Sequence, residues 1–388
     1  MISSPDKLFR CVYVVAAAWI MSLSAIGSVR AGEFDAYIGT YTGGESEGIY
    51  HFVWNSDSGT AGDVRLALKA DNPSFLALRP DGKNLYAVLE TGEWNGVSNS
   101  GGMLAASRGE DGSLKLLNSS PTYGAAPCHL EVDPTGKYVF YANYTGGSIG
   151  CFSIESSGKL GELSGFVQYN GSSINRRRQE ASHAHSIHLS PDGRFVLSAD
   201  LGMDCLHVHQ FDATNGILNP HGTGQANVRP GGGPRHFAFH SNGKTVFVLN
   251  ELTSRVTTMK FNPRNARLQV VDEDSTLPED SSVSNSTAEI VVHPNGTFVY
   301  ASNRGHDSIA AFRFDEGSNS LSRLSVHKTG GKTPRNFAID PSGRWLLAAS
   351  QNSGFITIFS LDSDSGKLED TGRRIAVPTP VCVRFAKR

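Results

Sequence analysis

The sequence predicts an all-β fold: a seven-bladed β-propeller with four antiparallel strands per blade. Three observations predict it. Six segments share one plan, in which an alternating apolar run, a P-x-G or N-G turn and a second apolar run follow one another. A second hairpin follows most of these units. The two ends of the chain resemble complementary parts of one more unit. A repeat of this length is the first signal to weigh, because it fixes the architecture before any single element does.

The elements follow in chain order. Lys7 and Arg10 precede an apolar run over 11–29, and Val29 and Ala31 fit the small-residue rule for cleavage after Ala31. This pattern predicts a signal peptide over 1–31 and an exported, periplasmic protein, with an uncleaved anchor as the alternative. A propeller domain is then expected over 33–388. Its six internal units are 72–90, 126–144, 183–201, 233–251, 287–304 and 333–351, turned at Gly82, Gly136, Gly193, Gly243, Gly296 and Gly343. Successive turn glycines are 54, 57, 50, 53 and 47 residues apart. The second hairpins include 147–163, 205–220, 308–324 and 355–370, each turning through residues drawn from Asp, Asn, Ser and Gly. These residues supply the turn conformations that a tight hairpin needs. Two hairpins per period make four strands, the unit of a propeller blade. The seventh blade is split: PTPVCVRF (378–385) resembles a first strand, YIGTY a second and GIYHFVWN a third. Joining both ends in one blade closes the ring, and a closed ring without free edges favours a monomer.

Composition narrows the function. A formal net charge of −2 gives no electrostatic case for nucleic acid or an anionic membrane. Beyond the signal segment no stretch resembles a membrane span. Cys128, Cys151, Cys205 and Cys382 are widely spaced without a CxxC and read as buried free thiols. No P-loop, Rossmann fingerprint, G-x-S-x-G elbow or HExxH is present, so no cofactor and no metal are expected. The HAH at 183–185 would need a third ligand to hold zinc.

The polar residues have a pattern of their own. In an antiparallel hairpin the start of the first strand lies beside the end of the second. These places hold Asn72 with Glu90, His129 with Asn143, and His183 and His185 with Asp200. They continue with Arg235 and His236 beside Glu251, Glu289 beside Arg304, and Arg335 beside Gln351. With the first strand innermost, all of them are expected at one mouth of the central channel. Arg235–Glu251 and Glu289–Arg304 are expected as ion pairs within blades, and such pairs could serve only to hold the mouth together.

At these residues the chain resembles the bacterial 6-phosphogluconolactonase family of seven-bladed propellers. The motifs are YIGTYT, HAHS, ADLGMD, GPRHFAFH, NEL, AEI, SNRGHDSIAAF and TPRNFAID, in order over about 35–385. A sister branch holds fungal enzymes that interconvert carboxymuconate and its lactone through a His, Arg, Glu, Arg set. The resemblance places that set on His185, Arg235, Glu251 and Arg304, with His183 as the local competitor of His185. It implies hydrolysis of a small-molecule lactone. Glu251 or His185 would activate water or relay the proton, while Arg235 and Arg304 would bind the substrate anion or the developing oxyanion. His129, His183, His236, Glu289, His306 and Arg335 are the expected substrate-binding residues around them. The export signal departs from a cytosolic phosphorylated substrate and admits an unphosphorylated aldonolactone. Two other readings stand beside this one: a non-catalytic propeller that binds its partner at the mouth, and a lactonising isomerase of a carboxymuconate-type dicarboxylate.

Overall fold

The computed structural model describes residues 32–388, so the expected signal peptide over 1–31 lies outside the described residues. Among the described residues there are strands and turns and no helix. Seven antiparallel sheets make seven blades. Blade 2 runs through Phe75–Leu78, Asn84–Leu89, Gly102–Arg108 and Leu114–Pro121. Blades 3 to 7 begin with the inner strands Pro127–Val132, Ala184–Leu189, Pro234–Phe239, Ser286–Val292 and Pro334–Ile339. Inner strands of consecutive blades touch all the way round, including the last to the first, which closes the ring.

Blade 1 is built from both ends of the chain. Pro380–Lys387 is its innermost strand, followed outward by Glu33–Thr40 and Gly48–Asn55. Tyr37 stands opposite Arg384 on one side and His51 on the other, so the join is a full antiparallel ladder. Each strand alternates its side chains between the two faces of its blade, and both faces are buried against neighbours. Phe247 and Leu249 of blade 5, for example, pack with Val299, Ala301 and Phe312 of blade 6. Large aromatic groups such as Phe140, Phe247, Phe298 and Phe337 are fully buried between blades. Each contributes on the order of 1.5–3 kcal/mol of hydrophobic stabilisation. Cys128, Cys151, Cys205 and Cys382 are all buried free thiols.

One irregularity recurs and matters for the site. The register of the inner hairpin slips by one residue between Pro127 and His129, Ala184 and Ser186, Pro234 and His236, and Pro334 and Asn336. Each slip is a β-bulge, and the extra residues are Cys128, His185, Arg235 and Arg335. A bulge re-aims a side chain that a regular strand would send to the other face. Neighbours such as Arg235 and His236 therefore both face the central channel.

Candidate active site at the channel mouth

The mouth is assembled from two repeated positions. One is the bulged residue of the inner strand: Cys128, His185, Arg235 and Arg335. The other is the residue at the exit of the second strand: Tyr41, Glu90, Tyr144, Glu251 and Arg304. Together with Arg178 these groups, apart from Tyr41, which stands behind Glu90, line two contiguous hollows, the larger of about 160 Å³. In blades 3 and 4 the exit residues named from the sequence do not face the cavity. Asn143 is turned inward to Ser148 and Thr122, and Asp200 caps the backbone amides of His183, Gly202 and Met203. The residue after Asn143, Tyr144, faces the cavity instead.

Glu251 is the hub. Its Oε2 lies 3.0 Å from Arg235 Nε and 2.8 Å from Arg304 Nη2, and its Oε1 lies 2.6 Å from Arg178 Nη2. Burial alone would raise the pKa of Glu251, but Arg304, Arg235 and Arg178 outweigh it and hold the carboxyl at about 2. Burial and then the neighbouring Arg304 and Arg335 lower the pKa of Arg235 to about 9, which leaves it charged at neutral pH. The arginines are anchored further: Arg235 donates to Ala288 O at 2.5 Å and Arg304 to Thr287 O at 2.7 Å. Arg235 Nε meets Glu251 as an ion pair outside hydrogen-bond geometry, and Arg304 Nε is buried without a hydrogen-bond acceptor among the described residues.

Arg335 is different. Its nearest carboxylate is Glu90, at 4.0 Å, and its guanidinium lies 5.1 Å from the centre of the Tyr41 ring. Tyr41 in turn donates to Glu90 at 2.7 Å. Four guanidiniums thus face two carboxylates, and the mouth carries a surplus of two positive charges. His185 stands among them. Its Nδ1 lies 3.6 Å from Cys128 Sγ. Burial, Arg235, His236 and Arg335 drive its pKa well below the ordinary histidine value, so the imidazole is neutral.

Other expected members lie elsewhere. His183 stacks on Tyr144, and its ring nitrogens meet Tyr144 O at 3.0 Å and Glu180 at 3.2 Å. It does not line the mouth cavity. His306 does not line it either; its Nδ1 is 2.8 Å from Ser308 Oγ in an outer turn. Glu289 does not pair with Arg304. It accepts from His236 Nδ1 at 2.8 Å and from Asn336, deeper in the channel. Burial is opposed by His236, which holds the pKa of Glu289 at about 2, while burial lowers that of His236 to about 4. The pair is therefore a carboxylate bonded to a neutral imidazole. His129 and Glu289 line a second cavity of about 380 Å³ at the opposite end of the channel, with His188, Glu131 and Arg384. The single shared mouth expected from hairpin geometry is thus two layers, because the bulge sends consecutive residues into the channel at different depths.

The sequence reading placed Glu90 at the mouth without giving it a role, and it missed Arg178, Tyr41 and Tyr144. Arg178 comes from the segment between blades 3 and 4, and its only signal was the basic run NRRR in a loop. Asp204 explains how that loop is held. Its carboxylate accepts from Gln179 Nε2 at 2.7 Å and Ser173 Oγ at 2.5 Å on the Arg178 loop. It also accepts from Gly231 N at 2.6 Å and Gly233 N at 2.7 Å, just before Arg235. Gly233 has φ of +65°, and a Cβ there would sit 2.6 Å from Leu252 Cγ, so glycine is required at this crossing. Among the described residues no group of three or more His, Cys, Asp or Glu is arranged to hold a metal ion.

Comparison with known proteins places this geometry in context. The family model described as "Lactonase, 7-bladed beta-propeller" matches residues 35–385. A 6-phosphogluconolactonase of Bacillus subtilis strain 168 is 32% identical over 354 residues, 91% of this chain and 98% of that protein. A 6-phosphogluconolactonase of Formosa agariphila is 35% identical over 88% of this chain and 96% of that protein. The structure of a periplasmic gluconolactonase of Pseudomonas aeruginosa superposes with a TM-score of 0.85 at 26% identity, covering 92% of this chain and 99% of that one.

Proposed function

The chain belongs to the seven-bladed β-propeller lactonase family, and on that premise we propose that it hydrolyses the ester bond of a sugar lactone at the arginine-lined mouth. The observation that carries this reading is the guanidinium of Arg335, which has no hydrogen-bond acceptor among the described residues and lies 4.0 Å from Glu90, set in one cavity with the neutral imidazole of His185.

The chemistry needs three things. Water adds to the carbonyl carbon, charge collects on the carbonyl oxygen, and the ring C–O bond breaks as the ring oxygen gains a proton. Arg335 has free donors for the oxyanion, with Arg235 and Arg304 adding positive field behind it. His185, uncharged, takes a proton from the attacking water and passes it to the ring oxygen. Glu251, with a pKa of about 2 and both oxygens held by arginines, orients the guanidiniums and is not the base. One water is consumed, and the product is an aldonic acid whose carboxylate matches the cationic surplus.

The substrate in this reading is an unphosphorylated aldonolactone. The N-terminal run reads as an export signal, and one structural relative is described as a periplasmic gluconolactonase. A pH-stat assay on D-glucono-1,5-lactone and its 6-phosphate tests both points. Arg335→Ala is expected to lower kcat/KM by about 10²–10³ while the fold is retained. Undiminished hydrolysis by that variant would remove the proposed site. A clear preference for the 6-phosphate would overturn the choice of substrate.

A further inference from the structure

A further cavity, of about 670 Å³, opens beside the mouth between blades 1 and 2. Its walls come from the two blades that break the repeat. Blades 3 to 7 join their second and third strands through short turns, such as 144–147, 201–204 and 251–254. Blade 1 uses residues 41–47 and blade 2 uses 90–101. The longer one folds back as an extra hairpin, Glu93–Trp94 with Val97–Ser98, turned at Asn95 and Gly96 with φ of 46° and 83°. Positive φ at both turn residues is what a tight hairpin of this twist needs. Both departures from the repeat face one groove.

The groove has the chemistry of a saccharide site. Trp94 lies over Gly102, where a Cβ would be 2.7 Å from the ring, so the indole is pinned on bare backbone. Leu104 and Leu116 add apolar surface, while Lys69, Asp71 and Ser119 supply charged and hydroxyl groups. An aromatic plane beside such polar groups suits a pyranose, whose C–H face stacks while its hydroxyls bond outward. The groove also adjoins the mouth. Thr42 and Leu89 line the groove, and their chain neighbours Tyr41 and Glu90 bond to each other in the mouth at 2.7 Å.

We infer that this groove holds a glycosyl unit attached to the lactone, so that the substrate class is the lactones of oligosaccharide aldonic acids. The inference rests on the lactonase reading above and adds a remote binding site to it. Binding energy from such a site is spent at the reacting ester, so it raises kcat/KM for the longer substrate. The reaction that supplies this substrate must oxidise the anomeric carbon at the reducing end of an oligosaccharide.

The test compares cellobiono-1,5-lactone and maltobiono-1,5-lactone with D-glucono-1,5-lactone on the full chain. At least one disaccharide lactone is expected to be cleaved with a kcat/KM about tenfold above gluconolactone, the size of one good aromatic contact. Trp94→Ala should abolish that ratio and leave gluconolactone hydrolysis unchanged. Ser119→Trp, which fills the groove without removing Trp94, should do the same and covers the case in which Trp94→Ala does not fold. Hydrolysis of gluconolactone with no preference for either disaccharide overturns this inference and leaves the lactonase reading intact, as does a preference that survives both variants. Hydrolysis of none of the three lactones overturns both.

Discussion

Replacing Glu251 with glutamine isolates what a single carboxylate does for the mouth. The substitution keeps the shape and removes the charge that three guanidiniums share. Two routes give the magnitude. Breaking a buried ion pair by removing one partner costs about 3–5 kcal/mol, because the remaining charge stays buried. Independently, the folded pKa of about 2 against an ordinary value of 4.5 corresponds to about 3 kcal/mol of linked stability. The sign follows from the depressed pKa: this stability is fully present above the unfolded value and is lost as pH falls through the folded one. Glu251→Gln should therefore unfold about 3 kcal/mol more easily at pH 7. For a chain of this length that is about 4 °C in Tm. The gap should close progressively between about pH 4.5 and pH 2, where the native carboxyl takes up its own proton. Urea unfolding of both proteins across that range measures it. Equal stability at pH 7, or a gap that does not change with pH, would refute the argument that the arginines lean on this charge.

Two further predictions address other groups. His185 is neutral across the physiological range, since burial and the nearby arginines hold its pKa well below the ordinary histidine value. Plots of kcat/KM should stay flat as pH falls from 8 through 6.5, and a half-maximal drop near 6.5 would show that an ordinary histidine limits the rate. Asp204→Asn should release the Arg178 loop and the strand carrying Arg235 together, because one carboxylate accepts from both sides. The expected result is a loss of about 2 kcal/mol and a raised KM, checked by proteolysis of the 170–183 segment alongside kinetics.

Much of the fold is legible in the sequence for a physical reason. Each blade repeats a strand–turn–strand signal, and the turn glycines Gly136, Gly243 and Gly296 all have φ between +65° and +77°. The split blade was equally legible, since 378–385 carries the same alternating pattern as the other inner strands. The site was legible in part. Arg235, Glu251, Arg304 and His185 do meet, because their places in the repeat are equivalent from blade to blade. Which residue faces the mouth was misread where one position decided it, as with Asn143 and Tyr144. A slip of one residue in a strand reverses the facing of its side chains.

What the sequence by itself determined is therefore the periodic part: the number of blades, the closure by both chain ends, and the set of strand ends that approach the channel. These follow from patterns of two and of about fifty residues that local physics enforces. What only the tertiary structure decided is the non-periodic part. The bulges at Cys128, His185, Arg235 and Arg335 split the channel into layers. Arg178 arrives from an inter-blade loop, Asp204 ties that loop to the next blade, and Trp94 shapes a groove of its own. Each depends on contacts between residues tens of positions apart, and no local preference records where such partners meet.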